Sequence, residues 1–228
     1  NYASEPVERV CGFRITDRAP ELWNPETGEI RALPNYTVKG EHTLIPMEFG
    51  PAESWFVVFR EKAEPAVSEQ NFPDVRTLGV VKGPWEVQFD PEWGGTEEPL
   101  VFETLIDWTD HSIHDIRYYS GTATYRNTLT VSQEDLADPE ARILLDLGKV
   151  EVMARVWING EECGVAWKPP YRVDITGALK PGANDLRIDV VNLWINRMIG
   201  DEFLPEDVKW RNPETVEEWP EWMLNTEP

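Results

Sequence analysis

Apolar and polar residues alternate along most of this chain, most regularly between residues 143 and 202. Ala154, Val156 and Ile158 occupy every second position, which is the period of a strand with one buried face. Asn159-Gly160 follows directly and is the strongest short-range signal for a two-residue hairpin turn. The region therefore predicts several short strands joined by turns, as in a β-sandwich.

The first 62 residues show the same alternation in shorter pieces. Short strands are predicted over residues 7–16, 30–33, 36–38, 43–47 and 54–59. The last of these, Ser54 to Phe59, is apolar on both faces, which predicts a central position in its sheet. We interpret residues 1–62 as a small β-sandwich portion, truncated at its N-terminal side, because so few strands leave open edges.

The remainder of the chain divides into three predicted segments. Residues 63–84 are polar and contain three prolines, which is typical of a linker. Residues 85–203 begin with an alternating strand at Trp85 and form a second sandwich. Residues 204–228 form an acidic tail rich in tryptophan and proline. The predicted fold class is all-β, with two β-sandwich units.

The composition narrows the range of partners. The chain has 228 residues and a net charge of −21, from 42 acidic and 21 basic residues. A charge of this sign repels nucleic-acid phosphates and anionic lipid headgroups, so neither nucleic acid nor a membrane is an expected partner. No apolar stretch approaches the roughly 20 residues that span a bilayer.

Four short motifs carry a family resemblance: LDLG at 145–148, VWING at 156–160, VDIT at 173–176 and IGDE at 199–202. In this order they resemble the galactose-binding-like sandwich of family 2 and family 106 glycoside hydrolases. ELWNPETGE followed by PAESWFVVF, within residues 21–59, resembles the region after the catalytic barrel of family 106 α-L-rhamnosidases.

The resemblance implies that residues 85–203 form a galactose-binding-like jelly roll in a non-catalytic accessory region of a rhamnosidase-like enzyme. The catalytic acid and base would lie on a barrel preceding Asn1, and that barrel would be the main partner. The resemblance also implies a secreted or periplasmic bacterial protein. An autonomous carbohydrate-binding module and a structural protein-interaction sandwich remain alternatives.

No active site is expected within these residues. GxSxG, HExxH, GxGxxG and Walker motifs are absent from the sequence. A glycosidase needs two carboxylates on either side of the scissile bond, and nothing in the sequence singles out such a pair.

Two aromatic segments at predicted strand ends are candidates for contact with carbohydrate. Aromatic faces beside amide and guanidinium donors suit a pyranose, which offers an apolar face and several hydroxyl groups. The same loops could contact the catalytic barrel or pack internally. The candidates are Trp167, Tyr171 and Arg172 in the first segment, and Asn192, Trp194, Asn196 and Arg197 in the second. Trp157 is added because it lies between two inward positions and should point outward.

Metal binding is a weaker expectation. His111 and His114 lie among aspartates, but three-residue spacing brings both rings to one side only on a helix, and a loop is predicted there. Related sandwiches hold a structural calcium, which implies Ca²⁺ as a candidate cofactor. Asp201 and Glu202 are the candidate ligands, with Glu206, Asp207 or the 90–98 loop as further oxygen donors.

Overall fold

The computed structural model describes residues 1, 5–63, 69–202, 209–212 and 215–218. Strands dominate these residues, and the two α-helices are short. The strands are β1 (Val7–Phe13), β2 (Arg18–Trp23), β3 (Ile30–Ala32), β4 (Thr37–Lys39), β5 (His42–Phe49), β6 (Phe56–Lys62), β7 (Trp85–Phe89), β8 (Leu100–Phe102), β9 (Thr122–Val131), β10 (Leu144–Asp146), β11 (Met153–Ile158), β12 (Glu161–Ala166), β13 (Arg172–Asp174), β14 (Gly182–Val191), β15 (Lys209–Asn212) and β16 (Thr215–Glu218). The helices are α1 (His114–Arg117) and α2 (Ile195–Asp201).

The chain divides into two compact units. The first contains residues 1–81 and 128–186, and the second contains residues 82–127 and 187–228. Each unit combines two separate stretches of the chain. The division into domains at residues 62, 84 and 203 remains a prediction.

In the first unit, β1 to β6 form a small sandwich. One sheet has the order β1-β5-β4 and the other the order β3-β2-β6, and every pairing within them is antiparallel. Both sheets contribute to one core, because Leu22 of β2 packs in the same cluster as Ile45 and Met47 of β5. Its buried residues are Leu22, Leu33, Tyr36, Ile45 and Met47.

The prediction that residues 54–59 occupy a central strand is wrong. Within the described part of the chain, β6 pairs with β2 and lies at the edge of the β3-β2-β6 sheet. Two of the apolar residues of β6 do not need a second neighbouring strand. The Phe59 ring packs 5.4 Å from the Phe13 ring, and Phe56 is 61% exposed to solvent. An apolar run reports burial of side chains, and it does not report how many neighbouring strands the backbone has.

The first unit also contains the predicted hairpin. β11 and β12 pair antiparallel, with Ile158 opposite Glu161 across the turn. Asn159 and Gly160 have φ angles of 53° and 85°, as a type I′ turn requires. The inward side chains Val156 and Ile158 are fully buried. Beside this hairpin the sheet order is β12, β11 and the first half of β14, and β10 pairs with β13 in a separate ladder.

In the second unit, the latter half of β14, residues 122–127 of β9, β7 and β8 lie side by side in that order. Aromatic rings fill the core of this unit. The Phe89 ring is 5.0 Å from Tyr119 and 5.2 Å from Trp108, both in edge-to-face geometry that favours aromatic pairs. The all-β class with a sandwich architecture is thus confirmed. Among the helices formed by described residues, none has the length and apolarity needed to cross a bilayer.

Candidate functional site

The first candidate segment, residues 167–172, consists of the loop between β12 and β13 in the first unit and the first residue of β13. Its Trp167 side chain is 60% exposed. Lys168 places its Nζ 2.6 Å from Glu26 Oε1 in the turn after β2, and Pro170 packs beside Gly50. The loop therefore contacts turns of the β1–β6 sandwich, and Trp167 presents its ring to solvent from a tethered backbone.

Tyr171 and Arg172 are anchored at the end of this loop. The Tyr171 carbonyl accepts a hydrogen bond from the Leu147 N–H at 2.8 Å, and Arg172 Nε lies 2.8 Å from Asp146 Oδ2. Burial of Asp146 acts to raise its pKa, but hydrogen bonds from Arg172 and the Gly148 N–H outweigh that effect and lower the pKa. The Arg172 guanidinium is therefore bound to an ionised carboxylate within the unit.

Trp157 lies on the outward-facing side of β11. The neighbouring residues Val156 and Ile158 are fully buried, whereas Trp157 is half-buried. The Arg155 guanidinium lies 5.7 Å from the centroid of its ring, a cation–π distance. A register shift between Val156 and Trp157 distorts the ladder with β12 at this point. Part of the indole surface is thus covered by a residue of its own strand.

The second candidate segment, residues 192–197, lies in the second unit, between β14 and the first turns of α2. Asn192 Oδ1 accepts a hydrogen bond from the Gly121 N–H at 2.9 Å, and its Nδ2 donates to the Tyr119 carbonyl at 2.8 Å. Asn196 Nδ2 donates to the carbonyls of Arg117 and Tyr119. Both amides fasten this segment to the chain around Tyr119.

Arg197 and Asp201 form an ion pair one helical turn apart, with Arg197 Nε 3.0 Å from Asp201 Oδ1. The Arg197 N–H donates to Ser120 Oγ at 2.8 Å, and this hydroxyl in turn donates to the Leu193 carbonyl. Asp201, one of the two calcium candidates, therefore already has a cationic partner.

The calcium expectation stays a prediction. Asp201 and Glu202 are both exposed, and Glu206 and Asp207 lie outside the described residues. Within residues 1, 5–63, 69–202, 209–212 and 215–218, no group of three or more His, Cys, Asp or Glu side chains has an arrangement that could hold a metal ion.

The histidine segment contains two short helical turns, and residues 111–113 between them form the predicted loop, so the two histidines do not share a helix. Asp107 accepts a hydrogen bond from the Thr109 N–H and starts a 3-10 turn, and α1 begins at His114. The His111 ring stacks on Phe102 at 5.5 Å, whereas the His114 ring lies 4.8 Å from Tyr118. Each imidazole thus packs against an aromatic ring of the second unit.

Helix α2 and the residue before it expose four apolar side chains, of which sequence reasoning identified only Trp194. Trp194, Ile195, Met198 and Ile199 are 69%, 61%, 53% and 50% exposed, and we call these four residues the α2 apolar face. Their spacing places them on one side of a helix with 3.6 residues per turn. The helical spacing of these apolar residues is present in the sequence. It extends over a helix of only seven residues that follows a strand, which is too short for a clear periodic pattern.

A cleft of about 400 Å³ in the first unit was also missed. Glu8 and Glu48, directly opposite each other on β1 and β5, contribute to its lining together with Asp74 and Phe72. Burial raises the pKa of Glu48, and the Glu8 and Asp74 carboxylates add to that increase. Like charges at facing positions destabilise a ladder, so the sequence pattern alone would not have predicted this pair.

Comparison with known proteins shows that part of the chain is similar to a known domain family. Residues 104–216 match the family model described as "Glycosyl hydrolase 2 galactose-binding domain-like". The predicted resemblance to the galactose-binding-like domain of glycoside hydrolases is therefore confirmed. The chain carries a region related to glycoside hydrolases.

Two individual proteins extend the similarity beyond this domain. The solved structure of a rhamnosidase from Novosphingobium sp. PP1Y is 35% identical, has a TM-score of 0.78, and covers 87% of this chain and 18% of its own. A protein of Formosa agariphila named "Putative beta-glucuronidase" is 40% identical over 146 residues, which are 64% of this chain and 12% of that protein. The chain thus spans less than a fifth of the length of either relative.

Proposed function

We propose that this chain is a non-catalytic accessory region of a glycoside hydrolase of the α-L-rhamnosidase type. The main support is its similarity to the Novosphingobium rhamnosidase over 87% of the chain, at a TM-score of 0.78. That similarity includes only 18% of the rhamnosidase, which leaves most of such an enzyme to carry the catalytic carboxylates. Within the proposal, the chain supports the catalytic domain of the same protein and lies near its carbohydrate.

The proposal is tested by assaying the full-length protein and the isolated chain on two aryl glycosides, an α-L-rhamnoside and a β-D-glucuronide. We expect the full-length protein to hydrolyse the rhamnoside and the isolated chain to hydrolyse neither. Hydrolysis of the glucuronide instead would refute the rhamnosidase assignment. Turnover by the isolated chain would refute the non-catalytic role.

A substitution in the Glu8 and Glu48 pair provides an internal control for that assay, because these two carboxylates are the described residues of this chain that most resemble a glycosidase pair. Both carboxylates line the described cleft, and the raised pKa of Glu48 is a property of general acids in glycosidases. Glu48→Gln should leave hydrolysis by the full-length protein unchanged, because the proposed catalytic groups lie elsewhere. A loss of hydrolysis in this variant would place the chemistry within this chain.

Autonomous carbohydrate binding is a second candidate function, favoured by the exposure of Trp167 on its anchored loop. A stacking sugar should change tryptophan fluorescence in a saturable way during titration with L-rhamnose, D-galactose or a rhamnose-containing oligosaccharide. Trp167→Ala should abolish the change, whereas Trp93→Ala, at a residue that is 67% exposed, should preserve it. The absence of a fluorescence change at millimolar sugar would leave the accessory role as the sole function.

The proposal includes a secreted or periplasmic location. An enzyme that trims polysaccharide must meet a polymer too large to cross the membrane, so the protein would act outside the cytoplasm. Fractionation of cells that express the full-length protein, followed by immunodetection, tests this location. Recovery in the cytoplasmic fraction would contradict it.

A further inference from the structure

We propose that the α2 apolar face is a docking surface for the part of the same polypeptide that lies outside these 228 residues in the full-length protein. This inference rests on the proposed accessory function and identifies the residues that would make the contact. Trp194, Ile195, Met198 and Ile199 are each at least half exposed. Four side chains of this size expose on the order of a few hundred Å², a range in which patches on soluble proteins are often functional.

The polar side of α2 holds the helix rigidly against its own unit. Asn196 donates to the carbonyls of Arg117 and Tyr119, and the Arg197 N–H donates to Ser120 Oγ. A Cβ built on Gly200 would lie 2.5 Å from the Tyr118 Cβ, so the helix backbone packs directly on Tyr118. The apolar face is thus presented in a fixed orientation, which lowers the entropic cost of docking.

The chemistry of this surface fits a protein better than a sugar. A pyranose needs hydrogen-bond donors and acceptors close to the stacking ring. Here Asn192 and Asn196 donate to backbone carbonyls of their own unit, and the Arg197 guanidinium pairs with Asp201. The other three residues of the α2 apolar face are Ile195, Met198 and Ile199, and an aromatic residue exposed together with apolar side chains is typical of a protein interface core.

The net charge and the relatives point to one occupant. A charge of −21 disfavours anionic membranes and nucleic acids as ligands of this surface. Helix α2 lies within the matched domain, residues 104–216, so the face belongs to the part shared with glycoside hydrolases. More than four fifths of the rhamnosidase lies outside the region similar to this chain, and a polypeptide of that length offers a covalently linked partner.

Photo-crosslinking in the full-length protein tests the proposal. The photoreactive residue p-benzoylphenylalanine is introduced at Met198, and in a separate control variant at Val101, which is 66% exposed in the same unit. Irradiation of the Met198 variant should produce an intramolecular cross-link to a peptide outside residues 1–228. The Val101 variant should give at most a small fraction of that yield.

Each other result overturns the docking proposal. A cross-link between two copies, with a yield that rises with concentration, identifies self-association. A cross-link within residues 1–228 identifies a segment of this chain as the occupant, and the absence of any cross-link shows a solvent-exposed face.

A charge variant adds a second readout. Ile195→Asp combined with Ile199→Asp should increase the rate at which protease releases a fragment containing this chain from the full-length protein by about tenfold or more, because two buried charges weaken the contact. Val101→Asp should leave that rate within twofold. Equal rates in both variants would contradict the proposal.

The glycosidase assay distinguishes failure of this inference from failure of the proposed function. A cross-link outside the chain in a protein without glycosidase activity would refute the proposed function and retain the docking face. Rhamnosidase activity in a protein whose residue 198 does not cross-link would refute the docking face and retain the proposed function.

Discussion

Asn184 illustrates at the residue scale how one buried polar side chain organises a turn. It is fully buried in the first unit, and its Nδ2 donates to the carbonyls of Lys180 and Gly182. Its Oδ1 accepts from the Lys180 N–H and from Asn159 Nδ2. A buried amide with this many partners is stabilising because all of its groups are satisfied.

Asn184→Ala should lower the free energy of unfolding by about 2 to 3 kcal/mol, because it removes several hydrogen bonds made by one fully buried amide. Urea unfolding followed by tryptophan fluorescence measures this loss. The neighbouring Asp185 is exposed, and Asp185→Ala should change the unfolding free energy by no more than about 0.5 kcal/mol. Equal effects of the two substitutions would show that the network contributes little.

Two buried tyrosines predict a loss of stability at alkaline pH. Burial raises the pKa of Tyr119 and Tyr125 above the ordinary value, and Tyr125 also accepts a hydrogen bond from Trp108 Nε1 at 2.6 Å. Because the pKa of each phenol is higher in the folded state, the protonated phenol contributes to the free energy of unfolding. This contribution is complete below about pH 10, where the phenol of the unfolded chain titrates. It is lost as the pH rises through the higher folded-state pKa.

Tyr125→Phe should therefore weaken the alkaline dependence. At neutral pH the variant should have a free energy of unfolding about 1 kcal/mol lower, because it lacks the hydrogen bond from Trp108. Above about pH 10 its free energy of unfolding should fall less steeply than that of the unmodified chain. Urea unfolding at a series of pH values measures both slopes. Parallel curves above pH 10 would mean that the Tyr125 phenol titrates at its ordinary pKa in the folded chain.

At the element scale, the Asn159-Gly160 hairpin could be predicted in full, whereas helix α2 could not. A two-residue turn and its flanking alternation are contained in a few consecutive residues, and their geometry follows from local sterics. The four residues of the α2 apolar face have a helical spacing, but a helix of seven residues is not stable by itself. Its contacts with Tyr118 and Ser120, distant in sequence, hold it in place.

The hairpin gives a prediction at this scale. Gly160 has a φ of 85°, and Gly160→Ala should cost about 1 kcal/mol because a Cβ disfavours the left-handed region. Thermal unfolding followed by circular dichroism measures the loss. Gly177 has open space around its Cβ direction and a φ outside the left-handed region, so Gly177→Ala is the matched control with little expected change. A larger loss for Gly177→Ala would contradict the turn assignment.

At the scale of the whole molecule, charge should govern self-association. The sequence has a pI of about 4.5, and its net charge is −21 at pH 7. Near pH 4.5 the repulsion between copies vanishes, while the exposed Trp194 and Ile195 remain apolar. Light scattering of the isolated chain should increase as the pH approaches 4.5 and return to the monomer value at pH 7.

Trp194→Ser should reduce that association several-fold, and Val101→Ser should reduce it less, because Val101 lies on β8 and outside the α2 apolar face. Scattering that is equally strong in both variants would indicate that charge neutralisation acts without the α2 apolar face. Association that persists at pH 7 would contradict the role assigned to net charge.

The sequence by itself determined the all-β class, the main hairpin and the resemblance to glycoside hydrolases, because alternation and turn residues are local properties of consecutive positions. Only the tertiary structure decided which candidate side chains are already bonded. Asn192 reaches Gly121 across 71 residues and Asn196 reaches Arg117 across 79 residues. Partners so distant in sequence leave no periodic signal, since they meet only after the strands between them have paired.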